Sequence, residues 1–203
     1  MTEFNNFNKL LTTKKKNMEN TENMLSYNYN SKEVLNMEYI MDAESLAKYI
    51  INFYESLNHK AISPIKLQKS LYFTFAYWAG FVGKNTKEKN YVEEQIELSP
   101  YLFEDEFQAW TYGPVLPNIY NKYKDGELKK EEQVPSELDN NELLKETIDS
   151  ILTDTFEISD FKLVALSHED KAWQMNYDED DENHNRIISR EDILSEYTEK
   201  SFG

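Results

Sequence analysis

The string Ser167-His168-Glu169-Asp170 contains the three residue types of a serine hydrolase triad. A triad is assembled in space from separate parts of a chain, and four consecutive residues cannot place its members in line. The sequence has no nucleophile elbow, no glycine-rich phosphate loop and no cysteine. Its three histidines, at positions 59, 168 and 184, show no His-x-x-x-His or Glu-x-x-His spacing. We therefore expect no catalytic residues and a protein that is not an enzyme.

The acidic window that begins at Asp180 follows part of the pattern of an EF-hand calcium loop. Glu182 takes the third position and Glu191 the twelfth, where an EF-hand places carboxylate ligands. His184 at the fifth position and Asn185 at the position of the required glycine break the pattern. We expect a solvated acidic loop, with no metal and no cofactor.

The stretch AWTYGPVLPNIY, residues 109–120, combines three aromatic side chains with a glycine and two prolines and holds no acid or base. Gly113 and Pro114 restrict the backbone and are expected to form a stiff corner. Trp110 is expected to face the core, as is Ile119. The sequence allows two interpretations of Tyr112 and Tyr120. They are either buried packing residues or part of an exposed aromatic patch that binds a partner.

The formal net charge of the 203 residues is −16, and it is unevenly placed. Residues 1–41 hold five Glu and five Lys, whereas 125–149 has nine acidic and three basic residues and 169–182 has seven acidic and one basic. This charge repels phosphate backbones, so direct nucleic-acid binding is not expected. A basic protein partner, mimicry of nucleic acid, or solubility alone each account for it. With no signal pattern and no long apolar run, we expect a soluble, cytoplasmic protein without membrane association.

The spacing of apolar and capping residues predicts a mainly α-helical domain. Asp42 is a predicted helix N-cap, and the hydroxyl of Ser63 before Pro64 marks the start of a broad, buried central helix that Gly80 and Gly83 close. Leu67, Leu71, Phe75 and Trp78 form the stripe of that helix. Lys66 and Lys69 lie in its first turns as solvated residues or as partners of nearby acids.

Beyond the central helix, segment 95–112 is predicted to be a short strand pair or an irregular hairpin before the Gly-Pro corner. A helix over VLPNIYNKY ends at Asp125-Gly126, an acidic helical segment covers 136–152, and Ser159 or Asp160 caps the next helix. Ser189 with Asp192 resembles a capping box. The fold class is thus mainly α, about six helices, and α+β only at the margin. Residues 1–41 are predicted to be a weakly structured extension and 42–200 the folded domain.

Four segments carry a family pattern, namely SPIKLQKSLYFTFAYW (63–78), FEDEFQAWTYGPVLPNIYNKY (103–123), LVALSHEDKAW (163–173) and ISREDILSEY (188–197). Over roughly residues 42–200 they resemble the Panacea antitoxin domain, the SocA-like or phage-associated family. The block 109–120 is the specific part of the match. The residues expected to be its structural signature are Leu67, Leu71, Trp78, Phe107, Ala109, Trp110, Gly113, Pro114, Pro117 and Trp173. The chain departs from the pattern in its extension 1–41 and in Ser70, where an apolar residue is common.

The resemblance implies a non-enzymatic antitoxin, encoded by a bacterium, prophage or phage, that neutralises a cognate protein toxin by direct contact. The charge adds the expectation that this toxin is basic. Two alternatives stay open. One is a phage-encoded inhibitor of a host nuclease or defence protein that mimics nucleic acid, and the other is an adaptor that delivers a toxin to a protease. The residues expected to bind the partner are Lys66, Lys69, Tyr72, Tyr112, Tyr120 and Tyr123.

Overall fold

The computed structural model describes residues 39–87, 99–104, 106–128, 133–181 and 185–200. In these ranges it has eight helices and one small sheet, which confirms the mainly α prediction. Two of the helices are single turns of four residues and account for the difference from the predicted six. In chain order the elements are α1 Ala43–Asn58, α2 Pro64–Lys87, β1 Phe107–Trp110, β2 Gly113–Val115, α3 Pro117–Lys124, α4 Ser136–Asp139, α5 Glu142–Glu157, α6 Asp160–His168, α7 Lys171–Gln174, β3 Ile187–Ile188 and α8 Arg190–Lys200.

The first helix begins where the sequence predicts. The Asp42 carboxylate accepts a hydrogen bond from the Ser45 amide at 2.8 Å, as an N-cap does. His59 follows the last turn in the left-handed region, with φ 52°, and its amide donates to the Glu55 carbonyl. Just before the helix, the amides of Ile40 and Met41 donate to the Leu102 carbonyl. Most of the predicted extension 1–41 lies outside the described residues, and the domain boundaries stay a prediction.

The central helix α2 starts as predicted but runs further. The Ser63 hydroxyl accepts from the Lys66 amide at 2.9 Å, and Pro64 takes the first helical position. Gly80 and Gly83 do not end the helix, which continues to Lys87. These glycines instead allow α8 to pack closely against α2. A Cβ on Gly80 would lie 2.7 Å from the Tyr197 carbonyl oxygen, and a Cβ on Gly83 would meet the Thr198 hydroxyl and Leu194.

Gly80→Ala is expected to lower the free energy of unfolding by about 1–2 kcal/mol, because the added methyl meets the α8 backbone, which cannot rotate away. This effect opposes helix propensity, which favours alanine over glycine by up to about 1 kcal/mol. Urea denaturation measures it. Gly83→Ala is the matched variant, where the new methyl meets side-chain atoms that can move, and it should cost less. A stabilised Gly80→Ala protein would contradict the close packing.

A hairpin forms later in the chain than the predicted 95–112, because its strands are β1 and β2 and it includes the Gly-Pro step. Residues 95–98 of the predicted segment lie outside the described residues. The sheet has the order β2-β1-β3 with both pairings antiparallel. Trp110 pairs with Gly113 and Ala109 with Pro114, so Thr111 and Tyr112 are the two-residue connection. The expectation of a stiff corner at Gly113-Pro114 is therefore corrected: these residues form the second strand, and the corner lies one step earlier. Gly113 has φ +89°, which favours glycine.

The later helices follow the predicted caps with local differences. Helix α3 begins at Pro117, and Gly126 follows its end with φ +74°. The predicted helix 136–152 is divided in two, because Asn141 caps a new helix, α5, through the Leu144 amide at 3.0 Å. Ser159 caps α6, and the Ser189 hydroxyl accepts from the Asp192 amide at the start of α8. None of the helices in the described ranges has the length and apolar character needed to cross a membrane.

Candidate protein-binding site

Lys69 holds the hairpin against the central helix from inside the core. Its side chain is only 1% exposed, and its side-chain nitrogen donates to the Pro114 carbonyl oxygen at 2.7 Å. Burial lowers the pKa of Lys69 to about 7, although the charge of Asp170 acts in the opposite direction. A Cβ on Gly113 would lie 2.9 Å from the Lys69 nitrogen and would also meet the Ser167 hydroxyl. Position 113 therefore requires a glycine, because a larger residue would lack space and would not favour the positive φ.

Two further polar side chains of α2 fix the elements beside the hairpin. The buried Gln68 carbonyl accepts from the Leu116 amide at 2.8 Å, immediately before α3. Lys66 donates to the Ile158 carbonyl and lies 3.4 Å from a carboxylate oxygen of Asp160, at the junction of α5 and α6. Lys66, Gln68 and Lys69 are thus internal braces, each of which bonds to a backbone group of a neighbouring segment.

Asp170 is the centre of a second buried network. It is 2% exposed, and its carboxylate accepts from the Tyr72 hydroxyl at 2.6 Å and the Tyr197 hydroxyl at 2.8 Å. Lys200, at the end of α8, forms an ion pair with the same carboxylate. Burial raises the pKa of Asp170, against the lowering effect of Lys200 and the two tyrosines. The network ties α2, the start of α7 and the end of α8 together.

An aromatic cluster, defined here as Trp110, Tyr120, His168, Trp173 and Tyr177, connects the hairpin to α6 and α7. The Trp173 indole donates to the Trp110 carbonyl at 3.1 Å. The His168 and Tyr177 rings both stack on the Trp173 ring, with centroid distances of 3.9 Å and 4.5 Å. Tyr120 meets Trp110 edge to face at 5.3 Å. Except for the buried Trp173, these rings are half-buried and reach the surface.

Tyr112 stands at the tip of the hairpin next to this cluster. It is 58% exposed, which is unusual for so large an apolar ring. The backbone of the neighbouring Thr111 forms a hydrogen bond with His168, so the tip lies against the end of α6. The hairpin tip and the aromatic cluster together form a rigid surface of aromatic rings, which suits contact with another protein.

Residues 96–174 match a family model described as antitoxin SocA-like, Panacea domain. This segment is therefore similar to a Panacea domain. The match confirms the predicted family resemblance within a shorter range than the 42–200 over which the pattern was traced. It contains the hairpin, four members of the aromatic cluster and Asp170. Antitoxin domains of this family are generally non-enzymatic. No curated protein and no solved structure is significantly similar to the chain.

The predicted structural residues occupy interior or hairpin positions. Within the Panacea segment, Phe107 and Ala109 point to the core from β1, Trp110 is half-buried, and Ile119 is buried as expected. Pro114 lies in β2, Pro117 opens α3, and Trp173 is the centre of the aromatic stack. Before the segment, three residues of α2 are almost completely buried: Leu67, Leu71 and Trp78.

The predicted partner-binding residues divide into two groups. Lys66, Lys69 and Tyr72 are buried, with 4%, 1% and 0% exposure, which corrects their expected position on a binding surface. They are internal because their polar atoms satisfy the carbonyls of Ile158 and Pro114 and the carboxylate of Asp170. Tyr112 is exposed, whereas Tyr120 and Tyr123 are half-buried, the latter donating to the Ile62 carbonyl at 2.5 Å.

The triad-like string 167–170 has no triad geometry. The Ser167 hydroxyl is buried and donates to the Val164 carbonyl at 2.9 Å, while His168 stacks on Trp173 and Asp170 bonds to tyrosines. Within the described ranges, no three histidine or carboxylate side chains are grouped so as to hold a metal. The calcium-loop window includes residues 182–184, which lie outside those ranges. The Asp170 and Gln68 contacts were not predicted, because no local pattern marks a polar residue whose partners are distant in sequence.

Proposed function

We propose that the protein is a cytoplasmic antitoxin that neutralises a cognate protein toxin by forming a stoichiometric complex with it. The observation that carries the proposal is the match of residues 96–174 to the SocA-like Panacea domain. The exposed Tyr112 and the adjacent aromatic cluster support direct protein contact, because tyrosine and tryptophan dominate the energetics of protein interfaces.

The surface would work by occlusion rather than by chemistry. Lys69 and the Asp170 network hold the hairpin and the aromatic cluster in place before binding, so little conformational entropy is lost on association. A standard interface buries about 1,600 Å², which a domain of this size can supply around the hairpin. The net charge of −16 favours a basic toxin and would speed the encounter at low salt.

Tyr112→Ala is expected to weaken the complex with the toxin by about tenfold or more, because it removes an exposed aromatic anchor. The toxin candidate is the product of the adjacent open reading frame. Its toxicity and rescue are measured by growth on co-expression, and its affinity by calorimetry with the purified proteins. Leu57→Ala is the matched control, since Leu57 is 54% exposed at the end of α1, outside the Panacea segment.

The outcome of these experiments distinguishes neutralisation by occlusion from delivery of the toxin to a protease. Rescue by the wild type, with loss confined to Tyr112→Ala, supports occlusion at the hairpin. An adjacent product that does not arrest growth, or one that the wild type neither binds nor neutralises, would overturn the proposal. Faster degradation of the toxin in the presence of the protein would replace occlusion with delivery to a protease.

A further inference from the structure

A groove of about 210 Å³ opens between α7 and α8. This volume is enough for one long side chain. Ala172 of α7 lines it together with Met175, which directly follows that helix and is 65% exposed. Asp192, Ser195 and Glu199 line it from α8.

The floor of the groove is rigid, and its charges are already paired. The two carboxylate oxygens of Glu196 accept from the amides of Lys171 and Ala172, at 3.0 and 2.8 Å, and so bind α8 to the start of α7. Lys200 lies 2.8 Å from Glu196 and also pairs with the buried Asp170. Glu196 and Lys200 are therefore both engaged within the protein, and neither is available to a ligand.

The rim of the groove carries the unpaired charge. Asp192 and Glu199 are seven residues apart, which places them on one face of α8 two turns from each other, with Ser195 between them. Within the described ranges, neither carboxylate has a cationic partner. Lys171 supplies one exposed ammonium at the other wall, so two carboxylates face one positive charge. The groove thus combines an apolar methionine wall with an excess of negative charge.

We propose that this groove receives a lysine or arginine side chain of the protein partner. The aliphatic stem of such a side chain packs on Met175 and Ala172, whose surfaces suit it because methionine adapts its shape to what it contacts. The charged end reaches Asp192 and Glu199, and the net charge of the whole chain attracts it. The proposal rests on the proposed function in taking that partner to be the toxin.

The groove is tested first without any toxin, using n-butylguanidinium as the probe and the methyl resonance of Met175 as the readout. The chain has six methionines, and Met175→Leu identifies the resonance. We expect a saturable shift with n-butylguanidinium and none with the neutral n-butylurea at the same concentrations. The double variant Asp192→Asn, Glu199→Gln should weaken binding roughly fivefold or more, since it removes both free carboxylates. Glu191→Gln is the control, an exposed carboxylate of the same helix outside the groove.

Three results would overturn the assignment: no shift at Met175, equal shifts with both probes, or equal weakening in the Glu191 control. In the second stage the double variant is titrated with the toxin, and an unchanged affinity would overturn the partner assignment. Failure of the wild type to bind any toxin would instead count against the proposed function, since the probe titration is independent of it.

Discussion

Replacing Asp170 with alanine is expected to lower the free energy of unfolding by about 3 kcal/mol, because two buried tyrosine hydroxyls lose their acceptor at once. The same change removes the ion pair of Lys200 and loosens the end of α8 from α2. Urea denaturation followed by circular dichroism measures the loss. Tyr72→Phe removes one of the hydrogen bonds without a large change in volume, and should cost only about 1 kcal/mol.

The control for Asp170 lies in the acidic turn that follows α7. Glu179→Ala changes an exposed carboxylate and should alter the free energy of unfolding by less than about 0.5 kcal/mol. If Asp170→Ala is no more harmful than Glu179→Ala, the network does not hold α8 in solution. A loss confined to Asp170→Ala would show that the fold depends on this carboxylate rather than on acidic charge in general.

Lys69→Met is expected to abolish a rise in stability between pH 7 and pH 9. Burial lowers the pKa of Lys69 from its ordinary value of 10.5 to about 7. The folded protein therefore favours the neutral amine. The contribution of Lys69 is fully present above pH 10.5 and is lost as the pH falls through about 7. At about 1.4 kcal/mol per pH unit, the wild type should gain about 2 kcal/mol from pH 7 to pH 9.

The measurement compares urea denaturation of wild type and variant at pH 7, 8 and 9. Methionine has no titrating group, so the variant should lack the gain, while Lys162→Met, at an exposed position on α6, should keep it. Lys69→Met also loses the hydrogen bond to the Pro114 carbonyl, which lowers its stability at every pH by about 1 kcal/mol. Parallel pH profiles for wild type and Lys69→Met would show that Lys69 does not titrate in this range.

These two interior networks explain how a small sheet can present a rigid tip. The hairpin has strands of only four and three residues, and an isolated hairpin is marginally stable in water. Lys69 and Gln68 brace it from α2, and Trp173 bonds to its β1 strand from α7. Tyr112 is therefore exposed on a backbone that is anchored on both sides, which is the arrangement that a binding surface needs.

Local sequence chemistry was sufficient for most of the helices. Asp42, Ser63 and Ser159 begin helices where their side chains can accept from backbone amides three residues later, and this interaction involves only neighbours in the chain. The apolar stripe of α2 could also be predicted from the sequence, because helical spacing places those residues on one face. The pattern around Gly113-Pro114 predicted the family resemblance, and the match of residues 96–174 to the family model confirms that resemblance.

Only the tertiary structure decided what the polar residues of α2 do and where that helix ends. From the sequence alone, Lys66 and Lys69 could be solvated, could pair with nearby acids or could bind a partner, and Tyr72 was expected to bind a partner. Their partners Ile158, Pro114 and Asp170 lie 45 to 98 residues away, and no local pattern reports such contacts. Gly80 marked a helix end by local rules, whereas the close approach of α8 makes it an interior contact. The sequence by itself thus determined most of the helices and the family resemblance, and long-range packing decided which side chains are buried and which remain on the surface.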